Sequence, residues 1–275
     1  MIYKLLLLFL LPLFSLFGKE TVLVSILPYK SMVERLGGDL VDVAVMLPVS
    51  ADEHTYEPTP KQMLQFSKSA LWFYLGETFE KRALPSLKNY NPNIKIIDLS
   101  NGIDLICGVG CCAAHEACDL HYWLSPRIVE KQVVAIAEGL ISLYPEKKEE
   151  ITKRLVALQS DLAALDQSIE KTLAPLQDRT FFVSHPSYGY FARDYHLQQI
   201  PVEFEGKEPS PRQLTALLQI AREHNAKTIF IQNEFSSKGA RLVAADLGAK
   251  VVSLHPLSEN YFAAMNEIAK EIASK

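Results

Sequence analysis

The sequence predicts an α/β protein with parallel sheets in both halves of the chain and one long helix between them. Three observations support this. Short β-branched or aromatic apolar runs alternate with helix-like segments on each side of the middle, which is the pattern of βαβ units. The middle itself keeps a helical period over about thirty residues. Four of the seven histidines follow apolar runs with a proline close behind, at the strand ends where α/β folds gather ligands.

The chain opens with Lys4 and an apolar run from Leu5 to Phe17, interrupted by Pro12 and Ser15. The run is shorter than the ~20 residues a membrane-spanning helix needs. It reads as a secretory signal over 1–18, with the mature chain starting near Lys19 or Glu20. Leu16 is bulkier than the residue expected near a cleavage site, so an uncleaved anchor is the alternative. No Cys lies near residue 18, and a lipid-modified N-terminus is not expected.

In the first half, Thr21–Leu27, Val41–Leu47, Ala70–Leu75 and Ile94–Leu99 read as strands. Ser31–Leu36 and Lys61–Ser69 read as helix, and a further helix is expected from Pro126 through Leu143. The middle places Ile151, Leu155, Leu158, Leu162, Leu165, Ile169, Leu173 and Leu176 on one helical face, with Pro145 near its start and Pro175 near its end. At 1.5 Å per residue such a helix is roughly 45 Å long and outruns one small domain. In the second half, Thr180–Val183, Lys227–Gln232 and Lys250–Leu254 read as strands. Pro211–Glu223 (capped by Ser210), Gly239–Leu247 and Tyr261–Ser274 read as helices. The expected organisation is a signal at 1–18, an N-terminal α/β lobe at 19–144, a linking helix at 145–176 and a C-terminal α/β lobe at 177–275.

Composition is that of a globular protein, 48% hydrophobic with a net charge of −4. No basic patch suggests nucleic acid. There is no GxSxG, P-loop or redox CxxC.

The chemistry concentrates in His54 (DEHTYEP), His121 (DLHYWLSP), His185 (VSHPSYGYF) and His255 (SLHPL). Arriving at one level of the fold from both halves, they suggest a single transition-metal site. Asp119 is placed to orient His121, with Trp123 and Leu124 packing beneath it; Tyr56 and Glu57 are candidates to hold His54. Glu53, Glu203 or Glu205 can offset the metal's charge. His196 and His224 read as structural. The segment Cys107–Cys118 holds all four cysteines and His115. In an exported chain it reads as a disulfide-stapled loop, with metal capture by reduced Cys as the alternative.

At HTYEP, D-x-H-x-W-L-S-P, the long middle helix and the strand-end residue of the second half, the chain resembles the metal-specific solute-binding proteins of ABC transporters, the zinc, manganese and iron class. The resemblance implies two α/β lobes joined by one rigid helix, with the metal in the cleft between the lobes. By position it implies His54, His121 and His185 as ligands. Where the family commonly has Asp in S-L-D-P-L, this chain has His255, making a fourth imidazole the expectation. Imidazole-rich sites suit Zn²⁺, while a carboxylate tilts toward Mn²⁺ or Fe²⁺. The implied function is capture of a divalent metal, zinc first, by a monomeric periplasmic protein and its delivery to an ABC permease in the inner membrane. No enzymatic role is expected. The competing readings are an exported zinc hydrolase with Glu53 as general base, and a surface adhesin.

Overall fold

A computed structural model describes residues 19–107, 118–203 and 207–275. The expected signal at 1–18, together with Cys111, Cys112, His115 and Glu205, lies outside the described residues.

The first half folds as β1 (Glu20–Val24), α1 (Leu27–Gly37), β2 (Val41–Val45), α2 (Pro60–Phe66), β3 (Leu71–Tyr74), α3 (Thr78–Tyr90), β4 (Lys95–Asp98) and α4 (Pro126–Leu143). Its four strands are all parallel, in the order β2-β1-β3-β4. The second half follows α5 (Lys148–Leu173) with β5 (Thr180–Val183), α6 (Gly189–Asp194), β6 (Gln198–Pro201), α7 (Pro211–Glu223), β7 (Thr228–Ile231), α8 (Lys238–Leu247), β8 (Lys250–Ser253) and α9 (Tyr261–Ala273). Its sheet repeats the arrangement, parallel in the order β6-β5-β7-β8. In each sheet the chain leaves the first strand toward one side and then crosses to the other. That reversal opens a crevice beyond the strands' C-terminal ends.

Helix starts are written in local chemistry. Thr59 and Ser210 build capping boxes with Gln62 and Gln213, each ahead of a proline in the first turn. Ser125 caps α4 without a reciprocal partner, its side chain accepting from the Ile128 amide ahead of Pro126. Two elements depart from the expected pattern. α3 was not visible because Glu77 caps it and Pro85 sits inside it. β6 reads QQIP, which is polar and ends in proline, and it is a strand because it pairs along β5 at the sheet edge.

The long helix α5 has 26 residues, about 39 Å. Ile151, Leu158, Leu162, Leu165, Ile169 and Leu173 are its buried face, packed on α4 and α1 of the first lobe and on α9. One hydrophobic core runs through both lobes, from Val22 and Phe73 to Phe181, Phe230 and Tyr261. A second fills the far face of the second sheet around Phe182, Ile229, Ile231 and Val243. Phe181 and Phe182 point into different cores, as the two-residue period of a strand requires. Among the described residues no helix is long and apolar enough to cross a membrane.

Gly139 is where α4 lies closest to the sheet. A Cβ there would sit 2.7 Å from Ile97 Cδ1 and 3.0 Å from the Phe73 ring. Gly139→Ala is therefore expected to destabilise the fold by about 1–3 kcal/mol through overpacking, despite alanine's better helix propensity. Thermal denaturation of the metal-free protein checks this; an unchanged or raised melting temperature would contradict the close packing.

Candidate metal centre

His54, His121 and His185 arrive from three loops. His54 lies in the loop between β2 and α2, and His121 caps the 3-10 turn Tyr122–Leu124 ahead of α4. His185 follows β5 almost directly, at the switch point of the second sheet. One ring nitrogen from each lies within 4.8 Å of the others, and the Nε2 atoms of His54 and His185 are 3.2 Å apart. Ring centroids are separated by 5.1 to 5.9 Å. Three imidazoles aimed at one point form a donor set suited to a divalent transition metal.

Each inner histidine is held from behind by a carboxylate. Asp119 Oδ1 lies 2.7 Å from His121 Nδ1 and also accepts from the His121 amide at 2.9 Å. Glu203 Oε1 lies 2.5 Å from His185 Nδ1. These contacts leave Nε2 facing the cleft and fix the ring planes. Trp123 packs below His121 with ring centroids 5.2 Å apart. Its indole donates to the Pro256 carbonyl at 3.1 Å, and its own carbonyl accepts from the Tyr261 hydroxyl at 2.9 Å. The floor of the site is thereby hydrogen-bonded across both lobes. His54 is held differently from the expectation: its amide donates to Asp52 and its carbonyl accepts from Arg82. No hydrogen bond from Tyr56 or Glu57 to His54 is present among the described residues.

The buried Glu77 lines the cavity of about 440 Å³ together with His54, Lys81, His121 and His185, and the buried Glu53 lies against His121. Glu53 Oε1 is 3.4 Å from His121 Nε2, and its Oε2 has no partner. Glu77 also leaves one oxygen unpartnered, and burial pushes its carboxyl up to about 7. For His121, burial opposes the charged ring, but the Asp119 and Glu53 carboxylates outweigh it and raise the imidazole to about 10. Burial of Glu53 is likewise outweighed by His121, which holds the carboxyl below its usual value. His54 is shifted down, chiefly by desolvation in the cleft. Phe235, in the loop after β7, stacks on His185 at 4.1 Å and on His54 at 5.6 Å. Sequence reasoning passed over Phe235 and Glu77; the places that mark them are the end of β7 at the switch point and the cap of α3.

His255 lies elsewhere. It sits on the loop after β8, exposed, between buried Leu254 and buried Pro256. With those two turned inward, its side chain faces out, and it is not part of the histidine group among the described residues. His224 ends α7 and contacts Asp178 at 3.1 Å, and His196 follows α6 with a positive φ.

Cys107 and Cys118 form a disulfide beside an antiparallel bridge, and Cys118 lines the cavity. The sequence separation of 11 closes a short loop, for which chain entropy predicts a stabilisation of about 2–3 kcal/mol. Cys107→Ser with Cys118→Ser is expected to lower the melting temperature accordingly. A variant as stable as the parent would show that the bridge contributes nothing.

The comparisons with known proteins give the family and the fold. The family model described as zinc-uptake complex component A, periplasmic, matches residues 22–275. A putative metal-binding protein of Chlamydia muridarum is 31% identical, aligned over 93% of this chain and 91% of its own length. The high-affinity zinc uptake system protein ZnuA of Bacillus subtilis is 30% identical over 87% of this chain and 79% of its own. A crystal structure of ZnuA superimposes with a TM-score of 0.89 at 38% identity, covering 94% of this chain and 99% of that one. A match that spans nearly the whole chain, on a fold whose cleft gathers three imidazoles, makes this protein a member of the family of periplasmic zinc-uptake components.

Proposed function

We propose that this chain captures Zn²⁺ in the cleft between its lobes, through His54, His121 and His185, and hands it to an ABC-type permease. The observation that carries the reading is the convergence of three ring nitrogens within 4.8 Å at the switch-point crevice. The two inner rings are already oriented by Asp119 and Glu203. Glu53, facing the same space, offsets the ion's charge. Imidazole nitrogen favours zinc over the harder Mn²⁺ and Fe²⁺, and the Bacillus subtilis relative is named for zinc uptake. The apolar run at 1–18 serves as the export signal, and the protein acts in the periplasm as a monomer.

Coordination number does not decide against hydrolysis. With His255 outside the group, three imidazoles leave a position that a water can take, as in catalytic zinc sites. Family membership does decide it: the family is one of transport components, not enzymes.

The test is elemental analysis of the purified protein followed by competitive titration of Zn²⁺, Mn²⁺ and Fe²⁺. One zinc per chain, held most tightly of the three, is expected. Tighter Mn²⁺ or Fe²⁺ binding, or Glu53-dependent hydrolysis of esters or peptides, would overturn the reading.

A further inference from the structure

Metal ligands are only as well placed as the groups behind them, and the support of His121 depends on a position in the opposite lobe. Asp119 holds His121 through Oδ1 alone, which accepts from both the His121 amide and Nδ1. Its other oxygen, Oδ2, lies against Gly189, the first residue of α6. A Cβ built on Gly189 would fall well inside contact distance of Asp119 Oδ2, with Gln199 Nε2 and Ile106 Cδ1 each 3.5 Å away on its other sides.

The neighbouring backbone cannot give way easily. Asp119 N donates to the Ile106 carbonyl at 2.8 Å. The Tyr190 hydroxyl donates to the Asp119 carbonyl at 2.7 Å and accepts from the Ile106 amide at 3.0 Å. The Cys107–Cys118 disulfide ties the same pair of segments one residue further out. A side chain at position 189 therefore clashes with one group, the Asp119 carboxylate, which hangs from a backbone that is held in place. Moving that carboxylate breaks its bonds to His121.

We propose that Gly189 is a positioning residue for metal binding: the missing side chain lets the second lobe close against Asp119, and so aims His121 at the cleft. Its φ is not in the left-handed region, so backbone freedom does not explain a glycine here. Alanine suits the first turn of a helix better than glycine, so what Gly189→Ala disturbs is the contact with Asp119 and not the helix itself. This inference rests on His121 being a ligand.

The experiment is a double-mutant cycle on zinc affinity with Gly189→Ala, Asp119→Ala and the pair, alongside metal-free melting temperatures. Gly189→Ala is expected to weaken zinc binding by about tenfold, the scale of losing a group that orients a ligand, with the metal-free melting temperature lowered no further than Asp119→Ala lowers it. In the Asp119→Ala background it is expected to add nothing, because the group it displaces is gone. Parent-like affinity in Gly189→Ala overturns the inference, as does an equal loss with and without Asp119. His121→Ala separates the two levels. Unchanged affinity there overturns the ligand assignment and this inference with it. Loss there with none in Gly189→Ala overturns this inference alone.

Discussion

Replacing His121 with alanine is expected to weaken zinc binding roughly a few hundredfold to several thousandfold, one of three ligands' share of the ~10–16 kcal/mol of structural zinc in zinc-finger peptides. His255→Ala is expected to leave it unchanged. The contrast follows from where the two rings lie. His121 is buried, its Nδ1 is engaged by Asp119, and its Nε2 faces His185 and Glu53 across the cleft. Removing the ring withdraws one of three donors and leaves Asp119 and Glu53 without the group each faces. His255 stands on an exposed loop, outside the group of three. Titration against a chromophoric chelator measures both variants, with metal-free melting as the control for folding. A His121→Ala protein that keeps the parent's affinity would remove the basis of the site. A tenfold or larger loss in His255→Ala would show that its loop swings inward when metal binds.

The difference between His121 and His255 also marks how far a sequence can be read. Both follow strand-like runs and precede proline, so position alone makes them look equivalent. What separates them is direction. The DLH spacing puts Asp119 two residues ahead of His121, and that carboxylate turns the ring inward. Nothing local turns His255, because the inward positions are taken by Leu254 and Pro256. The long helix α5 was legible because its burial falls on a single face, at Ile151, Leu158, Leu162, Leu165 and Ile169. α3 was hidden by Pro85 and an acidic cap. β6 was hidden because an edge strand of two glutamines, Ile and Pro owes its existence to its partner. Phe235 and Glu77 escaped for a related reason: an aromatic or acidic residue in a loop acquires meaning only when another loop arrives opposite it.

Zinc affinity is expected to rise about tenfold per pH unit from pH 7 toward 10, one proton's worth of linkage. Free histidines alone would predict that the dependence ends near pH 6.5. Here burial disfavours the charged His121 ring, but Asp119 and Glu53 more than compensate and raise it to about 10. In the metal-free protein at neutral pH, His121 therefore carries a proton that zinc must displace. His54, shifted downward, is already neutral and contributes no such step. The stability of the metal-free protein moves in the opposite direction. A histidine raised above its unfolded value stabilises the fold fully below about pH 6.5, and that contribution is lost as pH climbs through about 10. The rise in melting temperature on adding zinc should consequently grow across the same window. Calorimetry in buffers of different ionisation enthalpy reads the proton directly, with about one released per zinc at pH 7.5. Flat affinity between pH 7 and 9, with no proton released, would mean that His121 is neutral before the metal arrives, and that the carboxylates behind it orient the ring without charging it.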